Sequence, residues 1–177
     1  YVANGVTVAT AVWSIAGIAV SIQSTPLNVT RVDGLGDTTV AAGTDNVTLY
    51  EIKLSSNQGN GVRVSNAKFT VNAGASFADN TTLTLLVNGV AKESKTYNGT
   101  SPVSFTNFGS VTVNPTTNAT IKIMANIEED VVDGQTIQIK LEDLTATDLL
   151  TSTAITSYAK PAGAMFTVKT ADAVMTI

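Results

Sequence analysis

Two stretches of this chain place an apolar residue at every second position. They are Ala119 to Ile127 (ATIKIMANI) and Thr136 to Leu141 (TIQIKL). A period of two sends successive side chains to opposite faces of a strand. A slip of one residue would carry Ile121, Ile123, Ala125 and Ile127, or Ile137, Ile139 and Leu141, from a core into water, so register is well specified. Such a chain must build a sheet with one covered face, and the remaining segments have to supply the cover.

The other segments carry strand signals at the spacing of a sandwich, in short apolar runs broken by Gly, Asn, Asp or Pro. Leu27 to Val32 reads as a short strand after Pro26, and Asn46 to Leu54 puts Tyr50, Ile52 and Leu54 on one face. Between Val62 and Val71 the apolar phase changes, from Val62 and Val64 to Phe69 and Val71, which predicts a bulge. Asn88-Gly89 joins two strand-like runs within Leu83 to Tyr97, and this pair supplies the positive φ angles of a type I′ hairpin turn. Val103 to Phe105, Ser110 to Val113, Met165 to Lys169 and Ala173 to Ile177 complete about nine strands. With no βαβ rhythm, the fold expected is all-β, an antiparallel immunoglobulin-like or jelly-roll-like β-sandwich.

The first 30 residues are different, for Tyr1 to Thr30 contains no Asp, Glu, Lys or Arg. Val6, Val8, Val12, Ile18, Val20 and Ile22 share the even phase, with mostly small residues on the odd one, as in a strand with one bulky face. Thr7, Thr10, Ser14, Gly17 and Ser21 also recur every three or four residues, the pattern of an apolar helix with a small polar stripe. Either way the segment needs a partner surface, and Trp13 at its middle suits an anchor in a groove better than a sugar-stacking platform. The chain therefore divides into an apolar assembly arm, residues 1–25, and a sandwich domain, residues 26–177. Its start at Tyr1 suggests export with removal of a leader.

Composition narrows the function. Charged residues are 14% of the chain, below the roughly one quarter usual in soluble domains, so part of the surface is expected to be hidden by a partner. A net charge of −4 and no basic patch interleaved with aromatics argue against nucleic acid. There is no His and no Cys, which removes the usual general base, the usual nucleophile pairings and nearly every zinc site. No enzyme, cofactor, metal or small-molecule substrate is expected. The acids sit at turns (Asp33, Asp37, Asp45, Asp79, Asp133, Asp148), where carboxylates cap backbone amides. Glu128-Glu129-Asp130 with Asp133, and more weakly Asp33 with Asp37, offer oxygen ligands for calcium but lack EF-hand spacing, so solvated loops are the simpler reading.

Asn-x-Thr sequons stand at Asn28, Asn46, Asn80, Asn98 and Asn118, against roughly three expected by chance in so Asn- and Thr-rich a chain. They are candidate N-glycan sites, with Asn80 and Asn98, flanking the hairpin, expected to be the most accessible.

A cysteine-free, Thr- and Asn-rich sandwich preceded by an uncharged arm resembles subunits of prokaryotic surface filaments. One such group is the donor-strand filaments: archaeal threads, bundling pili and TasA-like biofilm fibres. The other is the archaeal type IV pilins. The first resemblance implies that the arm enters a neighbour's sheet, the second that it forms a helix in the filament core. The polar Asn4, Gly5, Thr7 and Thr10 favour the strand. The reading is an extracellular, cell-surface homopolymer of identical subunits, with Val6, Val8, Val12, Trp13, Ile18, Val20 and Ile22 at the subunit interface. Their expected partners are inward residues such as Ile121, Ile123, Ile137 and Ile139. The alternative is an adhesin or carbohydrate-binding module with the arm folded into its own sandwich.

Overall fold

The computed structural model describes residues 26–56 and 61–170. The strands are β1 (Leu27–Arg31), β2 (Thr38–Ala41), β3 (Val47–Ser56), β4 (Val62–Ala73), β5 (Thr81–Val87) and β6 (Val90–Thr96). They continue with β7 (Val103–Phe105), β8 (Val111–Val113), β9 (Ala119–Ile127), β10 (Thr136–Asp148), β11 (Ala154–Ile155) and β12 (Ala162–Lys169). One sheet has the order β1-β3-β9-β5-β6, the other β2-β12-β10-β4-β7, with β8 also on β4 and β11 also on β10. The protein is an all-β sandwich. Every pair among the described residues is antiparallel except β2 on β12, which is parallel and departs from a purely antiparallel expectation.

The two alternating runs are the central strands. β9 lies between β3 and β5, and β10 between β4 and β12, so both must be covered on both flanks. Their inward residues, from Ile121 to Ile127 and from Ile137 to Leu141, are at most 1% exposed. β10 runs on to Asp148, beyond the strict alternation, because Glu142 is an extra residue opposite β4 and shifts the phase so that Leu144 and Ala146 turn inward. The bulge expected in β4 is present at Ser65, the residue skipped between Val64 and Asn66 in the pairing with β10. A third shift, at Leu49 in β3, buries both Leu49 and Tyr50.

Asn88 and Gly89 have φ of 49° and 78°, as a type I′ turn requires, and join Val87 directly to Val90. Asn88 also ties the hairpin to β9, its Oδ1 accepting from the Thr120 N–H at 2.8 Å. At the centre of the core Phe69 stands edge-on to Tyr50 and to Phe105, with centroids 6.0 Å apart in both pairs, so a column of three rings spans the two sheets.

Two strands have no counterpart among those expected from the sequence. β2 (TTVA) is largely exposed, and β11 is two residues long; neither presents a periodic apolar face. The expected strand Ala173 to Ile177 lies outside the described residues, as do Val6, Val8, Val12, Trp13, Ile18, Val20 and Ile22 of the arm.

Candidate functional site

A domain that joins others through strands does so at its sheet edges, because only there are backbone N–H and C=O groups unpaired. Ile121, Ile123, Ile137 and Ile139 belong to strands with a neighbour on each side and are buried between the two sheets. The expectation that they receive an arm is corrected: no flank is open at β9 or β10 where those residues lie.

The sandwich has two lateral sides. On one, β6 and β7 end their sheets, and this side is closed by charge. β6 carries Lys92, Glu93 and Lys95, with a bulge at Lys92. The Glu93 side chain points inward, 8% exposed, pairs with Lys95 Nζ at 3.2 Å and accepts the Asn107 N–H at 2.8 Å. It thereby links the β6 edge to the segment after β7, while Lys95 lies 5.9 Å over the Phe105 ring. Inward and edge charges of this kind oppose pairing with another strand.

On the other side, β1 and β2 end their sheets, joined by residues 32–37. Asp33, with a side chain only 1% exposed, organises this connection. Its Oδ1 accepts from Arg31 Nε at 2.7 Å and from the Leu35 N–H at 3.0 Å, and its Oδ2 from the Glu51 N–H at 3.2 Å. Arg31 also donates to the carbonyls of Leu35 and Ala162, crossing from one sheet to the other. Asp37 Oδ1 accepts the Met165 N–H at 2.8 Å. Asp33 and Asp37 thus act as amide caps. Asp133, accepting from Thr170, and Asp148, accepting from Leu150 and Thr151, do the same.

Between β12 and β11 a stretch of β10 has no strand beside it, and the loop before β12 fills the gap. The Tyr158 hydroxyl accepts the Leu144 N–H at 2.6 Å and lies 3.1 Å from the Leu144 carbonyl and 2.7 Å from Asp143 Oδ1, which draws its proton. Burial, and then the Asp143 carboxylate, push the Tyr158 hydroxyl up to about 12, while the same hydrogen bond holds Asp143 below its usual range. A tyrosine whose pKa is higher folded than unfolded stabilises the fold fully below its unfolded value, about 10, and ceases to do so as pH rises through the folded value. Tyr158→Phe is therefore expected to lower the urea midpoint near neutral pH. Its deficit relative to wild type should shrink between about pH 10 and 12, followed by fluorescence. A pH-independent deficit would exclude this hydrogen-bonded role.

Glu128, Glu129 and Asp130 are exposed and, with Gly43, Asp45 and Asn80, line an open cleft of about 510 Å³. Their loop is pinned by the fully buried Val131. Among the described residues no group of three or more His, Cys, Asp or Glu is arranged to hold a metal ion.

Of the sequon residues, Asn28, Asn46, Asn98 and Asn118 are exposed. Asn80 is not among the most accessible: it is half-buried, and its Nδ2, the atom a glycan would take, donates to the Ser76 carbonyl at 3.1 Å. Asn98 sits in an exposed turn, its Oδ1 accepting the Thr100 N–H at 3.1 Å. Every Phe and Tyr among the described residues is buried except the half-buried Tyr158.

No protein-family model matches the sequence, and a search of curated proteins found no match. Among solved structures the chain is similar to one from a type I cohesin–dockerin complex of Clostridium thermocellum. The two are 11% identical with a TM-score of 0.37, over 87% of this chain and 100% of that one. It is also similar to the CFA/I adhesin CfaE of enterotoxigenic E. coli, at 13% identity and a TM-score of 0.34. That match covers 84% of this chain and 49% of the adhesin. Both are similarities of fold alone.

Proposed function

We propose that this chain is a structural subunit of an extracellular filament, joined to identical subunits through its apolar N-terminal arm. The observation that carries the reading is the arm itself: residues 1–25 hold no charge and lead directly into β1, the edge strand of the five-stranded sheet. Burying five or six Val and Ile side chains at about 1.5–3 kcal/mol each offers roughly 10 kcal/mol before ordering costs. Contact between the arm of one subunit and the body of the next is heterologous and does not close, so it propagates a fibre. The central strands being flanked, the arm adds to a sheet edge. Glycans at the exposed sequons Asn28, Asn46, Asn98 and Asn118 would coat a surface poor in charge. The carbohydrate-binding alternative is disfavoured because the described residues offer no exposed aromatic ring on which a sugar could stack.

The test is a pair of arm variants, Ala19→Asp and Val20→Asp, with fibre yield measured by sedimentation. A donor strand has one bulky face, so Asp at position 20 is expected to abolish pelleting while Asp at 19 leaves much of it. Equal loss from both would replace the strand by a core helix. Failure of the wild-type chain to form fibres would overturn the filament reading.

A further inference from the structure

The open edge of β2 has the features of a strand acceptor. Parallel pairing with β12 uses alternate residues of β2. Ala42 donates to the Lys169 carbonyl at 3.0 Å, and Val168 pairs with Gln135 and Gly134 on the β10 side, which leaves Lys169 facing β2. By this alternation Thr38, Val40 and Ala42 turn their backbone groups toward β12, and Thr39 and Ala41 turn theirs outward. The Ala41 carbonyl is taken by Thr44 Oγ1 at 2.7 Å. The Thr39 N–H, the Thr39 carbonyl and the Ala41 N–H remain without a partner among the described residues. Thr38 to Thr44 contains no charge, and Thr38, Thr39 and Ala41 are exposed. Val40 and Leu35 are partly buried against the core, and Val32 is 45% exposed, so the segment leading into this edge also shows apolar surface.

The other edges are shorter, charged or bounded by proline. β6 carries Lys92, Glu93 and Lys95; β7 follows Pro102 and is tied to β6 through Glu93 and Asn107. β1 starts after Pro26 and ends at Arg31, whose guanidinium reaches across to Ala162. β11 is two residues long.

We infer that the β2 edge, at Thr39 and Ala41, is the acceptor for the arm of a second copy, residues 6–22, which adds as a strand outside β2. This rests on the filament reading above. The arm matches the edge in lacking charge and has the period of two needed to turn Val and Ile toward the side that Val40 and Leu35 occupy. The few backbone bonds on offer set register, and the apolar face supplies affinity.

The experiment compares full-length wild type, Thr39→Pro, Thr39→Lys and, as a control on the opposite side, Thr96→Lys, scoring pelleted protein and unfolding midpoint. Proline at 39 removes an N–H that the domain does not use, and lysine leaves the backbone intact but charges the edge. Both Thr39 variants are expected to keep the wild-type midpoint and lose pelleted material by about tenfold or more, the scale of leaving a buried backbone group unpaired. Thr96→Lys should pellet as wild type does. If Thr39→Pro does not fold, Thr39→Lys decides. Folded Thr39 variants that pellet normally, or equal loss from Thr96→Lys, would overturn the β2 assignment while leaving the filament reading in place. A wild-type chain that never pellets would remove both.

Discussion

Replacing Asp33 by alanine is expected to cost the domain about 3–5 kcal/mol of unfolding free energy, the scale of breaking a buried ion pair by removing one partner. The carboxylate is almost completely buried and accepts three hydrogen bonds, from Arg31, Leu35 and Glu51. Alanine would leave the Leu35 and Glu51 amides unpaired and strip Arg31, whose side chain is 27% exposed, of its counter-charge. Urea unfolding measures the loss. If an apolar pair at positions 31 and 33 replaces both charges, only the part due to the lost counter-charge of Arg31 should return, because the Leu35 and Glu51 amides still lack their acceptor. A single substitution costing under about 1 kcal/mol would place the pair in the class of surface salt bridges and mean that Asp33 does not hold the β1–β2 connection together.

Phe69→Ala should be as damaging, for a different reason. Phe69 is 1% exposed and stands between Tyr50 and Phe105, so truncation leaves a cavity where the sheets meet and removes both edge-on ring contacts. Large aromatic truncations in a core cost about 3–5 kcal/mol, and domains of this kind hold only about 5–15 kcal/mol in total. Phe69→Leu, which fills part of the space, is expected to lose clearly less. Equal losses for the two would mean that the volume left by truncation does not set the cost.

β9 and the first half of β10 were legible because each is central: covered on one face and flanked on both sides, such strands need strict alternation, and alternation is visible in one dimension. The hairpin was legible because Asn88-Gly89 must supply two positive φ angles, a demand few residue pairs meet. The bulge in β4 showed as a change of apolar phase. The caps by Asp33, Asp37, Asp133 and Asp148 followed from carboxylates at turns, although the chain order carried no sign that Asp33 would be buried beside Arg31 and reach Glu51.

The sequence by itself thus determined the fold class, the inward face of the central strands and an uncharged N-terminal segment, because each depends on composition, periodicity or local backbone chemistry. What only the tertiary structure decided was which strands end their sheets. Edge or centre is a property of neighbours distant in the chain, and β2, with its short exposed run of Thr and Ala, has no periodic signature to announce itself. The same dependence hid the half-buried state of Asn80, set by the carbonyl of Ser76, and the closing of one side by Glu93. It also put Ile121, Ile123, Ile137 and Ile139 out of a neighbour's reach, since the inward face that makes a strand easy to recognise is the face its own domain has already covered.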